Sequence, residues 1–405
     1  MAFQLALSGL SAASADLNVT ANNIANTATT GFKQSRAEFS ELFAVSPQGV
    51  SSTAIGNGVR VSQVAQQFTQ GSINFTQNSL DLAISGQGFF TVSNGGAPQY
   101  TRAGSFRTDA SGYVVNAQNQ RLQVYSPTST GGFNTGGLSD LRLVTGESPP
   151  NATTNAELVM NLPSNAAVPT TATFDPTDPT SYTQATSMTI YDSLGAAHTA
   201  TTYYSQTATS GVWNDRLYID GNAVGAAQQL TFSNTGLLTS PSTGNLTFPA
   251  YTPSTGAAPM TLTLNYGKAT QYGSTFGVNS ITQDGFTTGR LTGMNIDKTG
   301  VVQAQYTNGR AIPLGQIALA NFANPNGLQQ VADTNWSETA DSGQVLHGQA
   351  GTSGFGLVQA GALEASNVDI TAQLVSMITA QRNFQANAQM ISTADQITQT
   401  IIQMR

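Results

Sequence analysis

The sequence contains no cysteine and only two histidines, and charged residues make up 9% of its 405 positions. The lack of cysteine excludes disulfides, thiolate metal ligands and a cysteine nucleophile. The Lys and Arg residues total 14 and are scattered, so the basic surface needed to bind nucleic acid is missing. No run of about 18 apolar residues is present, so we expect no membrane insertion.

The chain also lacks a recognisable catalytic or metal-binding pattern. His198 and His347 are far apart in sequence. Each lacks a nearby arrangement of Asp, His or Glu, and we expect each to occupy a strand or a loop. Three Asp-x-x-Gly segments lack the ligand spacing of a calcium loop and predict hairpin turns. They are Asp109–Gly112, Asp192–Gly195 and Asp297–Gly300. We therefore expect no catalytic residue, no metal ion and no cofactor, and we interpret the chain as a protein without enzymatic activity.

What the sequence does contain is an apolar heptad pattern at both ends. Apolar or small residues recur there with alternating spacings of four and three, which is the pattern of a coiled-coil seam. The second stretch follows Ser366–Asp369, which we interpret as a capping box with Asp in place of Glu. The predicted polymerisation seam comprises Phe3, Leu7, Leu10, Leu17, Ile24, Ile370, Leu374, Met377, Ile378, Phe384, Ile391, Ile397, Ile401 and Ile402.

An apolar helical stripe needs a partner, because an isolated helix is marginally stable in water. The two ends of one chain can cover each other as a hairpin, or neighbouring copies can cover both. Ile378, Ile397 and Ile401 lie beside the main stripe, so a single helix contact leaves apolar area exposed. The polar face carries Ser, Thr, Asn and Gln with few charges, which suits packing among identical copies. We therefore expect assembly through both ends, with the ends largely disordered in the free monomer.

Between the ends, the periodicity changes to the alternation that predicts short antiparallel strands. Strand patterns at 80–125 and 294–320 predict two halves of one β domain. The intervening segment is richer in Thr, Ser, Pro and Gly. Strand patterns continue in it, for example at 213–219, and predict a second, inserted β domain. The expected fold is mainly β with α-helical termini: terminal coiled-coil helices, a split β domain and a second β domain inserted in it. The expected parts are a terminal helical polymerisation domain with connector (1–70 plus 360–405), a split β domain (71–145 plus 285–359) and an inserted outer β domain (146–284).

Motifs at both ends resemble those of the bacterial flagellar rod and hook family. The N-terminal motif includes Leu7–Leu10 and then Asn22, Asn23, Ile24, Ala25, Asn26, Gly31, Phe32 and Lys33. The C-terminal motif includes Leu363–Asp369 and Ala380–Asn387. Segments 283–291 and 319–328 resemble the split domain of hook members, and rod members typically lack a large insert. The resemblance favours a hook subunit; the alternatives are a distal rod subunit of the same family and, from a different class, a secreted β-rich adhesin.

The resemblance implies a helical homopolymer that forms a curved hollow tube, couples rod to filament and transmits torque as a flexible joint. The implied partners are the chain itself, the rod, hook-cap and hook-filament junction proteins, and the flagellar type III export apparatus. It also implies an extracellular place in the bacterial flagellum, reached without a cleaved signal peptide. The first lysine is Lys33, so we expect no basic leader region. Phe39 and Phe43 have the Phe-x-x-x-Phe form of the export-gate motif of this class.

Overall fold

The computed structural model describes residues 2–42, 56–128, 131–143 and 146–403, with the backbone alone at residues 2 and 401. Two long helices, α1 (Ala2–Ala25) and α2 (Ile370–Gln403), stand at the ends of this described part, and strands dominate between them. The predicted fold class, mainly β with helical termini, is confirmed.

The strands are numbered in chain order. The first ten are β1 (Ser35–Glu41), β2 (Val59–Gln66), β3 (Ile73–Phe75), β4 (Leu82–Ser85), β5 (Phe89–Asn94), β6 (Ala97–Thr101), β7 (Arg107–Thr108), β8 (Val114–Val115), β9 (Arg121–Tyr125) and β10 (Ser139–Asp140). The next are β11 (Asn155–Pro163), β12 (Gln184–Tyr191), β13 (Ala197–Gln206), β14 (Val212–Ile219), β15 (Asn222–Ala223), β16 (Gln228–Phe232), β17 (Leu238–Ser240), β18 (Asn245–Thr247), β19 (Thr263–Asn265), β20 (Thr270–Tyr272) and β21 (Gly277–Gln283). The last are β22 (Leu291–Ile296), β23 (Val301–Tyr306), β24 (Ala311–Asn321), β25 (Gln329–Gln330), β26 (Asn335–Ser337), β27 (Leu346–Gln349), β28 (Leu357–Ala360) and β29 (Ala362–Glu364).

The chain folds as two compact units. Unit 1 comprises Met1–Thr145, Gly293–Gln305 and Ala311–Arg405, and unit 2 comprises Gly146–Thr292 and Tyr306–Arg310. The terminal helices therefore share a unit with the β strands that flank them in sequence. The three-part division given above, which separates the helices from the split β domain, stays a prediction.

The main sheet of unit 1 is buried on both faces. Its central strands follow the order β23, β24, β9, β5, β6 and β26. In β5, Phe90 and Val92 pack into the larger apolar core, whereas Phe89 packs on the other face against Trp336. Because both faces are covered, the first four residues of this strand, Phe89 to Val92, are all buried and show no alternation of buried and exposed positions.

Strands β1 and β2 form an antiparallel hairpin in the segment predicted to be a connector. Their register runs from Ser35 opposite Gln66 to Glu41 opposite Val59, with a bulge at Phe39. The hairpin lies along α1, where the backbone N–H of Val59 donates to Ser8 Oγ at 3.3 Å. The connector is therefore an ordered partner of the first helix over its described residues.

Unit 2 is built from two sheets around a shared core. One sheet has the order β12, β13, β14, β16 and β17, and the other has the order β18, β19, β11 and β20. In β14, buried residues such as Trp213 and Leu217 alternate with half-buried ones. This is the period of two that the sequence predicted for residues 213–219.

The predicted Asp-x-x-Gly turns are confirmed at all three positions. In one of them, Asp192 Oδ1 accepts the backbone N–H groups of Leu194 and Ala196, each at 2.9 Å. Gly195 has φ of +83°, the left-handed region where a side chain causes strain. The aspartate therefore acts as the acceptor within the turn.

The predicted capping box at Ser366 is wrong. Helix α2 begins at Ile370, and Asp369 Oδ1 accepts the backbone N–H groups of Thr371 and Ala372 at 2.8 and 3.2 Å. Asp369 is thus the N-cap itself. A carboxylate at this position also interacts favourably with the helix dipole, which explains why aspartate serves as well as serine.

Candidate assembly surface of the terminal helices

Helices α1 and α2 of one chain pack against each other in antiparallel orientation. Asn23 Nδ2 donates to Gln373 Oε1 at 3.2 Å near one end of the contact. At the other end, a Cβ on Gly9 would lie 2.6 Å from Asn387 Oδ1. Fourteen residues separate the two positions on each helix (23 − 9 and 387 − 373), so one register describes the whole contact.

The α1 face in this contact is lined by small and polar residues. Ala6, Gly9, Ala13, Thr20 and Asn23 follow the spacings of three, four and seven that place residues on one helix face. Ala6, Ala13, Thr20 and Asn23 are buried. Small side chains let two helix backbones approach closely, which is why Gly9 nearly touches Asn387.

The predicted α1 seam lies one residue along from this face. One residue is a rotation of about 100°, so the larger side chains face away from the centre of the α2 contact. Phe3 and Leu7 are 52% and 46% exposed, and Leu10, Leu17 and Ile24 are half-buried. In the described part of the chain, α1 therefore keeps a partly uncovered stripe of large apolar side chains.

The predicted α2 seam divides between two faces. Met377, Phe384 and Ile391 are half-buried and share the spacing of Ala380, which is 1% exposed at the contact with α1. The structure brings these three to the helix pair. The others are 46% to 68% exposed, namely Ile370, Leu374, Ile378, Ile397 and Ile402. The side chain of Ile401 lies outside the described residues.

Helix α2 extends beyond the start of α1. Continuing the register places Ala2 opposite Ala394, so residues 395–403 pass the first turn of α1. At 1.5 Å per residue this extension is about 14 Å long. It carries Ile397 and Ile402, which are 57% and 68% exposed. Its apolar side chains are therefore uncovered by the part of the chain that is described.

Asn23 is the family-motif residue that connects three elements. Its Oδ1 accepts the backbone N–H of Ser35 at 2.9 Å, and its Nδ2 donates to the Ser35 carbonyl at 2.8 Å. The same Nδ2 donates to Gln373. Asn23 is 1% exposed, so these bonds form in a buried setting where a broken bond costs most. One side chain thereby fixes α1, β1 and α2 together.

The remaining family-motif residues form the turn that follows α1. Asn26 Nδ2 donates to the carbonyl of Asn22 at 3.0 Å and stabilises the helix end, whereas Ile24 is half-buried and Ala25 is exposed. Gly31 has φ of +70° and lies against the backbone of residues 102–103. Phe32 is 6% exposed and anchors the turn.

Lys33 and Glu364 form a buried ion cluster with Arg102. Lys33 Nζ lies 2.6 Å from Glu364 Oε1, and Arg102 Nη1 lies 3.2 Å from Glu364 Oε2. Lys33 Nζ also donates to the carbonyl of Thr69 at 2.7 Å, and Arg102 Nη2 donates to that of Gly86 at 2.9 Å. Burial lowers the pKa of Lys33 and of Arg102, and the Glu364 carboxylate opposes both shifts. The cluster joins the N-terminal motif, the C-terminal motif and the sheet.

Asn367 completes this junction before α2 begins. Its Oδ1 accepts the backbone N–H of Gln34 at 2.7 Å, and its Nδ2 donates to the carbonyl of Gln67 at 2.8 Å. The two residues that flank the open end of the β1–β2 hairpin are thus hydrogen-bonded to the residue that precedes the second helix.

Phe39 is the described half of the predicted export-gate motif. It lies at the bulge of β1 and is 41% exposed. Phe43 lies outside the described residues. The export role of the motif stays a prediction.

Within the described ranges, no group of three or more His, Cys, Asp and Glu residues is placed to hold a metal ion. No helix of the same ranges is long and apolar enough to cross a membrane. His198 and His347 lie on β13 and β27, as expected for strand histidines. The sequence reading that His198 has no acidic neighbours is wrong, because its Nδ1 lies 2.5 Å from Asp220 Oδ2 and its Nε2 lies 3.2 Å from Asp192 Oδ2.

Two signals in the sequence could have located the residues that were missed. The small-residue spacing of Ala6, Gly9 and Ala13 marks a face for close helix packing, but none of these three residues belongs to the predicted seam. Glu364 is the acidic residue of the C-terminal motif, and a carboxylate in an apolar strand such as β29 usually has a cationic partner. Only the fold identifies that partner as Lys33, because 331 residues separate the two.

Four family descriptions match the chain. "Flagella basal body rod protein" covers residues 3–33, and "Flagellar hook protein FlgE/F/G D1 domain" covers residues 83–173. "Flagellar basal body protein FlaE D2 domain" covers residues 161–286, and "Flagellar basal body rod FlgEFG protein C-terminal" covers residues 359–404. Together with the paired terminal helices, these matches define a structural protein of the flagellar rod and hook class.

Full-length relatives specify the member of that class. The chain is 39% identical to the flagellar hook protein FlgE of Escherichia coli (strain K12) over 420 residues, covering 100% of both chains. It is 35% identical to FlgE of Rhizobium meliloti (strain 1021), covering 98% of this chain and 97% of the relative. The chain therefore belongs to the flagellar hook protein family, and its function is that of a structural subunit of the bacterial flagellar hook.

A solved structure supports the fold. The Helicobacter pylori flagellar hook protein FlgE2 aligns with a TM-score of 0.53 at 14% identity, covering 72% of this chain and 100% of that chain. At this identity, the similarity shows the architecture alone.

Proposed function

We propose that the chain assembles with copies of itself through the apolar faces that α1 and α2 leave uncovered. This proposal is supported by the difference between two faces of α1, one of which contacts α2 while the other is partly exposed. Small residues contact α2, whereas Phe3 and Leu7 remain about half exposed. A helix with such a stripe is stable in water only when another element covers it. In this proposal the covering helices come from neighbouring copies, which stack into a curved hollow tube that couples rod to filament.

The uncovered side chains offer enough energy for assembly. Those on the two helices are Phe3, Leu7, Ile370, Leu374, Val375, Ile378, Met390, Ile397 and Ile402. Complete burial of a large apolar side chain contributes about 1.5–3 kcal/mol, and these are about half exposed. Covering all of them contributes roughly 7–13 kcal/mol before ordering entropy is subtracted. A micromolar association corresponds to about 8 kcal/mol.

Pelleting and electron microscopy of the concentrated full-length chain test this proposal. Combining Leu7→Ser with Leu374→Ser should raise the critical concentration for tube formation at least about tenfold, because each change removes about 1 kcal/mol of apolar contact. Leu346→Ser is the matched control, since Leu346 is 61% exposed on β27 and lies on neither helix. Tubes formed by the double variant at the wild-type concentration would contradict the proposal.

In the free chain, we propose that the helical ends are less ordered than in the assembly. Residues 395–403 extend past α1, and in this proposal another copy covers their apolar side chains. Limited proteolysis of dilute protein should cut this extension first, and the same site should be protected in tubes. Equal protection in both states would argue against folding on assembly.

We also propose that the chain leaves the cell through the flagellar type III apparatus and works outside it. Rod, hook-cap and hook-filament junction proteins are its proposed neighbours. Phe39 supports a recognition role, since an aromatic ring that is 41% exposed is available for contact. Phe39→Ala should reduce the amount of exported protein several-fold, whereas Phe75→Ala, at a ring that is 76% exposed, should leave it unchanged. Equal export of both variants would contradict the role of Phe39.

The proposed division of labour follows the three parts predicted from the sequence. Residues 1–70 with 360–405 polymerise, residues 71–145 with 285–359 stiffen the tube wall, and the insert 146–284 shapes the outer surface. Deleting 146–284 should leave straight or differently curved tubes. Unchanged curvature would show that the insert does not shape the hook.

A further inference from the structure

Charged side chains are rare on the terminal helices. The single charged residue of α1 is Asp16, and α2 carries Arg382 and Asp395. Asp395 Oδ2 accepts a hydrogen bond from Gln399 at 2.9 Å. Asp16 and Arg382 make no hydrogen bond or ion pair within the described residues. Within the described helices, Asp16 and Arg382 are thus one anion and one cation without partners on a surface whose one other charge is Asp395.

Asp16 lies in an environment that disfavours an unpaired charge. It follows the spacing of Gly9, Ala13 and Thr20, and the register of the helix pair places it opposite Ala380, which is 1% exposed. Asp16 is half-buried, and burial raises the pKa of its carboxyl. A neighbouring copy that covers this surface would bury the carboxylate further, at a cost that a cationic partner would offset.

Arg382 is close to the level of Asp16 along the helix pair but lies on the outer side. It follows Ala380 by two residues, which is about 3 Å along the axis and about 200° around it. Because Ala380 faces α1, Arg382 faces away from it, and its side chain is exposed. Within one chain, α2 itself therefore stands between the two charges. Asp16 is half-buried beside α2 and not fully covered, so Arg382 of a second copy can approach it from the side that α2 leaves open.

The other cations near the helices are less suited to the role. Lys33 is fully buried against Glu364. Arg36 lies 2.7 Å from Glu38, and Arg60 Nε donates to Ser40 Oγ on the hairpin. Arg382 is therefore the exposed helical cation that has neither kind of partner in the described part of the chain.

We propose that Asp16 of one copy forms an ion pair with Arg382 of a neighbouring copy and that this pair sets the register between them. The inference rests on the proposed self-assembly and adds to it a specific contact. The apolar stripes supply affinity but allow one helix to slide along another. A single charge pair on helices with so few charges penalises each misplaced register, as isolated polar residues do in coiled coils.

A charge exchange tests the pair in the full-length chain. Asp16→Lys and Arg382→Glu should each raise the critical concentration for tube formation about tenfold, which corresponds to about 1.4 kcal/mol. The double variant should return to within about threefold of the wild type. Asp395→Lys is the control for charge alone, and Asp16→Lys with Arg60→Glu is the control for a different partner. Fluorescence of Trp336, in the core of unit 1, verifies that each variant is folded.

The lack of cysteine in this chain gives a second measurement that does not depend on affinity. Copies with Asp16→Cys are mixed with copies with Arg382→Cys, assembled and oxidised. The mixture should yield a disulfide-linked dimer of the two variants, and Asp16→Cys mixed with Asp395→Cys should not.

The outcomes distinguish failure of the ion pair from failure of self-assembly. If the wild type forms tubes but the double variant assembles as poorly as the single variants, the ion pair is wrong and self-assembly stands. Tubes without the expected crosslink lead to the same conclusion. Rescue by Arg60→Glu assigns the contact to the hairpin and likewise overturns it. Absence of wild-type tubes overturns the proposed assembly and the pair with it.

Discussion

Glu364 holds two cations in the interior of unit 1, and its side chain is fully buried. The cluster carries a net positive charge, since Lys33 and Arg102 share this one carboxylate. Removing a partner from a buried ion pair leaves an uncompensated charge, which is more costly than never having had the pair. Loss of the Glu364 carboxylate should therefore cost more free energy of folding than the intact cluster contributes.

Glu364→Gln should destabilise unit 1 by about 3–5 kcal/mol, because it leaves Lys33 and Arg102 buried without an anion. Urea unfolding followed by the fluorescence of Trp336 measures the change. Glu147→Gln is the matched control. Glu147 pairs with Arg290 at 3.1 Å, but the two side chains are 58% and 82% exposed, so the cost should be below about 1 kcal/mol. Equal effects of the two changes would refute the structural role of the cluster.

Asp215 is a carboxyl in the core of unit 2. Burial raises its pKa from 3.8 to about 7, although Tyr266 donates a hydrogen bond to its Oδ2 at 2.8 Å. Between these values, the folded chain holds a proton that the unfolded chain has released. The contribution of Asp215 to the folding stability of unit 2 should therefore fall as pH rises from about 4 to about 7 and then level off.

Asp215→Asn should remove this slope. The difference between 3.8 and about 7, at about 1.4 kcal/mol per pH unit, amounts to roughly 4 kcal/mol of stability lost from acid to neutral pH. Urea midpoints reported by Trp213 between pH 4 and 8 provide the measurement. A wild-type midpoint that does not change across this range would contradict the assignment.

His198 contributes a slope at higher pH. Burial lowers its pKa, but hydrogen bonds from its ring to Asp220 and Asp192 outweigh burial and raise it. The stabilisation is complete below the usual value of 6.5 and is lost as pH rises through the raised value. His198→Gln should therefore flatten the pH dependence of unit 2 above about 6.5 and leave the slope at lower pH unchanged. Loss of the lower slope in this variant would show that the two effects are coupled.

At the scale of an element, the α1–α2 contact depends on the small residues of its interface. Gly9 is the position of closest approach, since a Cβ there would lie 2.6 Å from Asn387 Oδ1. The obstacle is the end of one side chain that can move, so a methyl group is tolerated and a larger group is not. The two helices are thus complementary in shape where they meet, and their exposed apolar side chains lie outside this contact.

Gly9→Leu should separate the helices at a cost of about 1–3 kcal/mol, the usual range for overpacking. Gly9→Ala should be neutral or slightly stabilising, because alanine favours a helix over glycine by about 1 kcal/mol. Hydrogen exchange of residues 3–20 and 376–393 compares the two variants. Adding Asn387→Ala to Gly9→Leu should restore part of the protection; failure of that rescue would place the contact elsewhere.

At the scale of the whole molecule, each compact unit has its own core and its own tryptophan. Trp336 is 1% exposed in unit 1, and Trp213 is fully buried in unit 2. The chain contains two tryptophans, so fluorescence can follow each unit separately once the other is replaced. Chains with separate cores commonly unfold in more than one step.

Trp213→Phe and Trp336→Phe should report different urea midpoints for the two units. Glu364→Gln should shift the Trp336 transition alone, and Asp215→Asn should shift the Trp213 transition alone. Because the two sites share no partner, we expect their effects to add. A single common transition that both changes move would indicate that the units fold as one.

Much of the architecture follows from the sequence because periodicity is a local property. A heptad spacing at the ends, alternation in segments such as 213–219 and Asp-x-x-Gly turns each identified an element without knowledge of its neighbours. Charge scarcity along α1 and α2 was also visible, and it is why the charges of Asp16 and Arg382 matter. The cap of α2 was misassigned because Ser366 and Asp369 both fit a local rule, and only the position of the first helical residue distinguishes them.

Long-range partners needed the tertiary structure. Helical spacing tells which residues share a face, but it does not tell which face meets which partner. The predicted seam of α1 therefore contains its large apolar side chains and none of the small residues that meet α2. The fold showed that Gly9 and its small neighbours meet α2, that Glu364 balances Lys33, and that His198 lies between Asp192 and Asp220. These contacts join residues from separate elements, and the physical reason is that burial and charge pairing depend on distance in space and not along the chain.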